Sequence, residues 1–472
     1  MQITDMTLCG LSAAMDGGKV SSVEATRACL ERIRETAELN NFITTCEAEA
    51  LELARNADAR RRAGENDPLL GVPVAVKDNI ATRGIKTTCA SELLRDFVPS
   101  YDAAVVEKLK AAGAVIIGKT NMDEFAMGST NENSAFGAVK NALDTRRVPG
   151  GSSGGSANCV AARVAFGALG SDTGGSVRQP SAYCGVVGLK PTYSAVSRYG
   201  LIAFASSLDQ IGTLTRDCDD ALRLFGVLIG KDGRDPTSGA YPKLPLTLHS
   251  DIRGKTIGVA DEFINTDKLD GEVRGQFEQA LSVLSNLGAK IKRVSIKSFN
   301  TALFVYYALS GAEAAVNLSR FDGARHSISA HEDDVLDVFA STRGEMLGAE
   351  VKRRIMTGSF VLDGDNYDAY YVKAAKIRTV LKREYESALT ACDAIVCPTS
   401  PTTAPKLGEW ADPAINHFSD MYTVPANLCG LPAVSVPFGR AHGMPIGVQI
   451  IGKSFAEGEI LGIGKAIMQA AN

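Results

Sequence analysis

The sequence predicts an α/β protein in which a sheet is covered on both faces by helices. Two helix–glycine–strand units carry that expectation, one near residues 102–117 and one within 256–294. Short, continuously apolar strand runs support it, because a strand buried on both faces shows no polar alternation.

Taken in order, the first sixty residues read as helical. Ser21 stands three before Glu24, the spacing of a capping box, and Val23, Thr26, Leu30 and Ile33 then recur at helical intervals. Charged residues crowd 47–62, which reads as a second, outward-facing amphipathic helix. The grammar changes at 72–76, a short apolar strand ending beside Lys77. Asp102 is placed to cap a helix over 103–112 that stops at Gly113, and 115–117 follows as a strand. The order recurs as a strand at 256–259, a helix at 272–287, Gly288 and a strand at 291–294. The stretches 230–254 and 398–413 read as irregular. Strand signals at 394–396, 433–436 and 446–451 surround the second, so one elaborated α/β body is expected. Its division is a helical segment, 1–65, packed on a core of 66–472.

Composition narrows the function classes. The chain has 472 residues, 45% hydrophobic and 22% charged, which suits a globular protein. Its 54 acidic and 50 basic residues give a net charge of −4, which disfavours a large basic face for nucleic acid. Ten cysteines include no C-x-x-C pair and read as free thiols of a reducing compartment. The five histidines fall in no metal-ligand spacing, so no metal site is expected. The start, Met1-Gln2-Ile3-Thr4-Asp5, shows no signal or transit peptide, and no apolar stretch reaches the ~20 residues that a bilayer requires. A cytoplasmic protein with no membrane role is expected, bacterial rather than organellar.

The densest chemical signal is Pro149-Gly150-Gly151-Ser152-Ser153-Gly154-Gly155-Ser156, echoed by Asp172-Thr173-Gly174-Gly175-Ser176. So much glycine and serine disfavours regular structure and marks close approach of the backbone to a ligand. The stretch 159–167 between them has helix-compatible composition, so the two turns can meet at one edge of the sheet. Three readings compete. A phosphate cradle would need a lysine after the glycines, and neither run has one. Gly150-Gly151-Ser152-Ser153-Gly154 satisfies G-x-S-x-G, but that elbow needs a histidine base, and only His442 sits beside a strand in a loop-like stretch. A lysine base is the third, with Lys77 at a strand end, where open α/β sheets place functional groups.

These three segments together resemble the amidase signature family, and the likeness extends over about 71–452. It narrows to that family's A subunits of tRNA-dependent amidotransferases, through the runs 122–137 (Met122-Asp123-Glu124-Phe125 onward), 185–193 and 197–212. The resemblance implies an amidase-signature α/β/α fold with a mixed central sheet. It also implies a Ser-Ser-Lys triad in which Ser176 is the nucleophile, Ser152 the bridging serine and Lys77 the base. Thr173, Gly174 and Gly175 stand where such enzymes form the oxyanion hole. Tyr306, Arg354 and Asp420 match positions that hold glutamine, with Tyr307 and Arg353 as adjacent alternatives. An arginine–aspartate couple suits the two charged groups of a free amino acid.

The implied activity is hydrolysis of glutamine, with ammonia passed on for ATP-dependent amidation of Glu-tRNA(Gln) or Asp-tRNA(Asn). A stand-alone amidase for other small amides is the alternative. The resemblance implies two partners: a larger B subunit, which carries ATP, Mg²⁺ and the tRNA, plus a small C subunit. This chain needs no cofactor of its own. Asn141-Ala142, Asn158-Cys159 and Pro236-Thr237-Ser238 depart from the family's usual residues, and none touches the implied triad.

Overall fold

Eleven strands join into one sheet among the residues that the computed structural model describes, 2–242, 246–324, 328–330, 334–409 and 417–471. They are β1 (Phe42–Thr45), β2 (Pro73–Lys77), β3 (Val115–Thr120), β4 (Gly167–Asp172), β5 (Val187–Lys190), β6 (Gln210–Thr215), β7 (Thr256–Ala260), β8 (Lys290–Val294), β9 (Ala394–Pro398), β10 (Ala433–Ala441) and β11 (Met444–Gly452). The order across the sheet is β1-β3-β2-β4-β6-β5-β10-β11-β9-β7-β8. β2 runs parallel to β3 and β4, and β7 runs parallel to β8 and β9. The pairings from β4 through β6, β5, β10 and β11 to β9 are antiparallel, so the sheet is mixed, as expected. β2, β3 and β4 are buried along their whole length, the state of strands covered on both faces.

The N-terminal helices are α1 (Leu8–Asp16), α2 (Ser22–Glu35) and α3 (Glu47–Arg62). The capping box forms at α2: Ser21 Oγ accepts from Glu24 N–H at 3.1 Å, and Glu24 accepts from Ser21 N–H at 2.8 Å. The segment 1–65 is not helical throughout, because β1 lies inside it and pairs antiparallel with β3. Four β-branched and aromatic residues, Phe42-Ile43-Thr44-Thr45, are too few to stand out by pattern between two helices.

α4 (Ala104–Ala111) follows β2, and its N-cap is Ala103 rather than Asp102. Asp102 instead accepts from Arg83 N–H and Lys110 Nζ, at 2.8 and 2.7 Å. α5 (Gly154–Ala161) begins inside the serine-rich run and ends at Ala161, so most of the helix-compatible stretch 159–167 is not helical, and α6 (Arg178–Cys184) follows the second serine turn. α7 (Cys218–Leu228) ties the N-terminus down, since Asp220 accepts from Leu8 N–H and Cys9 N–H at 2.8 Å each.

After α8 (Gly271–Asn286) the chain enters a largely helical stretch that the sequence patterning did not reveal. It comprises α9 (Phe299–Leu318), α10 (Val335–Met346), α11 (Ala349–Leu362), α12 (Gly364–Tyr367) and α13 (Lys373–Thr390). α9 and α11 cross backbone to backbone, and a side chain at Gly358 would collide with the Gly311 carbonyl. α14 (Val424–Cys429) and α15 (Glu457–Ala471) complete the described helices. The stretch 230–254 carries no helix or strand among its described residues, and 410–413 of the second irregular stretch lie outside the described residues. All ten cysteines are free thiols, and nine of them are buried.

Candidate active site

Because β2 and β4 are parallel neighbours, Lys77 at the end of one and the turn following Asp172 at the end of the other emerge on the same side of the sheet. The serine-rich run closes over that point. Lys77 Nζ lies 2.7 Å from Ser152 Oγ, 2.8 Å from Ser153 Oγ and 2.9 Å from Ser171 Oγ. Ser153 N–H donates to the Ser176 carbonyl at 3.1 Å, so the two serine turns meet at the strand ends in mid-sheet rather than at a lateral edge. The Gly151–Ser152 peptide is cis. Lys77 and Ser152 are 0% exposed and Ser176 is 8% exposed, which leaves Ser176 as the hydroxyl of this set that reaches toward solvent.

Burial, the largest influence on Lys77, lowers its ammonium to about 7, against the carboxylates of Asp123, Asp172 and Asp209, which raise it. A neutral amine has two N–H bonds and one lone pair. Ser153 already donates its proton to the Ser171 carbonyl at 3.1 Å, so toward Lys77 it only accepts. Ser171 offers Lys77 a second acceptor direction through its carbonyl at 3.3 Å and its Oγ, which also takes a bond from Asn79 at 2.9 Å. Ser153 Oγ and the Ser171 carbonyl can only accept from the amine, so its two N–H bonds have acceptors there and its lone pair is available to Ser152. Neutral Lys77 is thereby oriented to receive a proton from Ser152.

The turn 173–176 is held by its carbonyls. Gly174 O accepts from Thr423 Oγ1 at 2.6 Å, Gly175 O from Gln179 N–H at 2.8 Å, and Ser176 O from Ser153 N–H. Among the described residues the N–H groups of Thr173, Gly174, Gly175 and Ser176 donate to no protein acceptor, which leaves them for an oxyanion. The turn has no room for side chains. A Cβ at Gly174 would lie 2.6 Å from the Tyr306 ring, and one at Gly175 would run into Thr423 Oγ1. Beneath it, Asp172 and Arg178 form a fully buried ion pair at 2.9 Å, joined by Asn427. Burial alone would raise Asp172, but the charges of Arg178 and Lys190 and the bonds from Arg178 and Asn427 bring it down to about 2.

Two of the candidate substrate residues, Tyr306 and Asp420, reach the same turn, and Arg354 packs on the neighbouring Tyr307 ring. Tyr306, on α9, packs its ring against Gly174, whereas the neighbouring Tyr307 ring lies under the Arg354 guanidinium at 4.8 Å. Arg354, on α11, is 5% exposed; its Nε bonds Glu350 at 2.7 Å and its buried Nη1 has no partner among the described residues. Arg353 turns outward to Glu350 at 2.6 Å. Of the two arginines Arg354 therefore faces inward, whereas the hydroxyls of both tyrosines are withdrawn from solvent beside it. Asp420 Oδ2 accepts from Ser129 Oγ at 2.6 Å, and its Oδ1 is 3.4 Å from where a Gly175 Cβ would stand. Burial raises the Asp420 carboxyl to about 7, with the Ser129 bond and the Arg354 charge acting against it.

The histidine-based elbow finds no support: His442 bonds Asp270 at 3.0 Å on the exposed β10–β11 hairpin. Among the described residues no group of three His, Cys, Asp or Glu side chains is arranged to hold a metal ion. Sequence reasoning missed Ser153, Ser171, Asn79, Ser129, Thr423 and the Asp172–Arg178 pair. Ser153 stands in the quoted glycine–serine run, and the Asp172–Arg178 pair shows as two opposite charges six residues apart across a glycine turn; the others are ordinary polar residues until the fold gathers them.

Known proteins resemble this chain in sequence and in fold. The sequence profile of the amidase family matches residues 24–461. The A subunit of the glutamyl-tRNA(Gln) amidotransferase of Thermoanaerobacter pseudethanolicus is 49% identical over 475 residues, covering 100% of this chain and 97% of that one. The subunit of the same name from Symbiobacterium thermophilum is 50% identical over 456 residues, 95% of this chain and 93% of its own. The crystal structure of the corresponding glutamyl-tRNA(Gln) amidotransferase subunit from Thermotoga maritima superposes with a TM-score of 0.82 at 41% identity, covering 99% of this chain and 95% of that one. The peptide amidase of Stenotrophomonas maltophilia superposes with a TM-score of 0.83 at 28% identity, covering 98% and 96%. With a buried lysine, paired serine turns and relatives of near-half identity along its whole length, this chain belongs to the amidase family.

Proposed function

We propose that the chain is the glutaminase subunit of a tRNA-dependent amidotransferase, using Lys77, Ser152 and Ser176 as its triad. The observation that carries the substrate is the inward-facing pair Arg354 and Asp420 beside the Gly174–Gly175 turn, with Arg354 Nη1 buried and unpartnered among the described residues. A buried guanidinium with a free donor is a site for an α-carboxylate, and the Asp420 carboxylate is the counterpart for an α-ammonium. Tyr306 lines the wall between them. A simple apolar amide would leave the Arg354 Nη1 donor unmet and Asp420 without a cation, at a cost that disfavours its binding.

Ser176 Oγ attacks the side-chain amide carbon while its proton passes to Ser152, whose own proton passes to the Lys77 lone pair. The N–H groups of Thr173, Gly174, Gly175 and Ser176 are the candidate donors to the oxyanion. The proton then returns through Ser152 to the amide nitrogen, the C–N bond breaks and ammonia leaves. Water hydrolyses the glutamyl ester on Ser176 to glutamate. ATP and Mg²⁺ belong to a B subunit that also holds Glu-tRNA(Gln) or Asp-tRNA(Asn), with a C subunit completing the assembly, in a bacterial cytoplasm. The near-neutral charge of this chain and the names of its relatives support that division.

The test is ammonia release from glutamine by the chain alone and by the chain assembled with its partners. Arg354→Ala should abolish glutamine turnover and spare slow hydrolysis of a small uncharged amide. Unchanged turnover of both substrates would favour a general amidase.

A further inference from the structure

A single run of hydrogen bonds connects the serine loop to Asp420. Gly151 N–H donates to Gln179 Oε1 at 3.1 Å, Gln179 Nε2 donates to the Ser129 carbonyl at 2.9 Å, and Ser129 Oγ donates to Asp420 Oδ2 at 2.6 Å. Gln179, Ser129 and Asp420 are 0%, 5% and 6% exposed, so water does not compete for these bonds. The Gln179 amide satisfies both ends in one orientation only, with its oxygen toward an N–H and its nitrogen toward a carbonyl. The backbone of Asp420 is fixed separately, its carbonyl accepting from Thr423 N–H and Thr423 Oγ1 at 3.0 Å each. What remains free in Asp420 is rotation of its carboxylate, and the short Ser129 bond removes that freedom by claiming Oδ2. Oδ1 is left facing the Gly175 turn, with the Ser419 hydroxyl at a long 3.4 Å.

We propose that Ser129 is a positioning residue for substrate recognition: it locks the Asp420 carboxylate so that one oxygen is presented to the α-ammonium of glutamine, in register with the serine loop through Gln179. The proposal rests on the glutaminase reading. It makes Ser129 specific for the amino group of the substrate and indifferent to the amide chemistry. A carboxylate free to rotate must be ordered each time substrate binds, and a buried oxygen without its donor loses the bond that had offset its desolvation.

The experiment compares wild type, Ser129→Ala and Ser129→Thr, each assembled with its partner subunits, on L-glutamine and on glutaramate, which is glutamine without its α-amino group. Ser129→Ala should raise KM for glutamine roughly ten-fold and leave kcat within about two-fold, as expected for one hydrogen bond to a charged group. Its kcat/KM on glutaramate should match wild type, and Ser129→Thr, which keeps the hydroxyl, should restore the glutamine KM. An unchanged KM in Ser129→Ala, or equal losses on the two substrates, would overturn the proposal. If wild type itself releases no ammonia from glutamine, the glutaminase reading fails and takes the proposal with it; activity in wild type with no effect of Ser129→Ala defeats the proposal alone.

Discussion

Lys77 Nζ and Ser152 Oγ lie 2.7 Å apart, both withdrawn from solvent, and the amine's other hydrogen-bond partners are Ser153 and Ser171. An ammonium there would be buried among hydroxyls and a carbonyl, which is why its pKa falls to about 7 rather than staying near the ordinary lysine value.

In the proposed triad Lys77 acts as base only when unprotonated, so kcat/KM should rise with pH through about 7 and level off above it. For glutamine the acid limb should be steeper than a single ionisation, because Asp420, also raised to about 7, must be ionised as well. Lys77→Arg should release no ammonia at any pH, since a guanidinium never loses its proton in this range. A pH profile of ammonia release from about pH 5 to 9 reads both; a Lys77→Arg enzyme that regains activity at high pH would contradict the assignment.

Ser153 and Ser171 direct the two N–H bonds of the neutral amine. Removing the Ser153 hydroxyl takes away one acceptor outright, and removing that of Ser171 leaves only its carbonyl at 3.3 Å, so in both cases the lone pair is held toward Ser152 for less of the time. Ser153→Ala and Ser171→Ala should therefore lower kcat by about ten-fold with KM changed less than about two-fold. Steady-state kinetics on glutamine distinguishes this from a binding defect, which would appear in KM.

Arg354→Lys keeps the charge and loses the planar fork. It should raise KM for glutamine on the order of 100-fold, because an ammonium offers an α-carboxylate no bidentate partner and would stand in the same buried pocket beside Tyr307. A KM near wild type would mean that charge alone, without the fork, suffices.

The Asp172–Arg178 pair holds the 173–176 turn from below. Arg178→Met leaves a buried carboxylate unpaired and should cost about 3–5 kcal/mol in urea denaturation. Asp172 also sets a pH dependence. Its folded pKa, about 2, lies below the ordinary value, so its stabilisation is complete above about pH 4 and is lost as pH falls toward 2. Acid unfolding of Asp172→Asn should lack that component.

The regular elements were legible where local physics dictates them. The capping box at Ser21, the helix of 47–62 and the apolar strand before Lys77 all appear within two residues of expectation. Elements whose residues are ordinary by themselves were not legible. β1 is four residues long and exists because β3 offers it an edge, and α9 through α13 lack the clean periodicity that would announce them. Asp102 had the identity of a cap but found better partners in Arg83 and Lys110 across the fold.

The sequence by itself determined the chemical inventory: glycine–serine turns, a lysine at the end of an apolar strand, and the residue runs that mark the family. It could also nominate Tyr306, Arg354 and Asp420, but it left Arg353 and Tyr307 open beside two of them. Only the tertiary structure decided which side chains face inward and which N–H groups stay unpaired. It also decided that three serines from two segments surround one buried amine. The physical reason is that proton affinity and hydrogen-bond direction depend on desolvation and on neighbours distant along the chain. Neither quantity exists until the strands have paired and the turns have closed over Lys77.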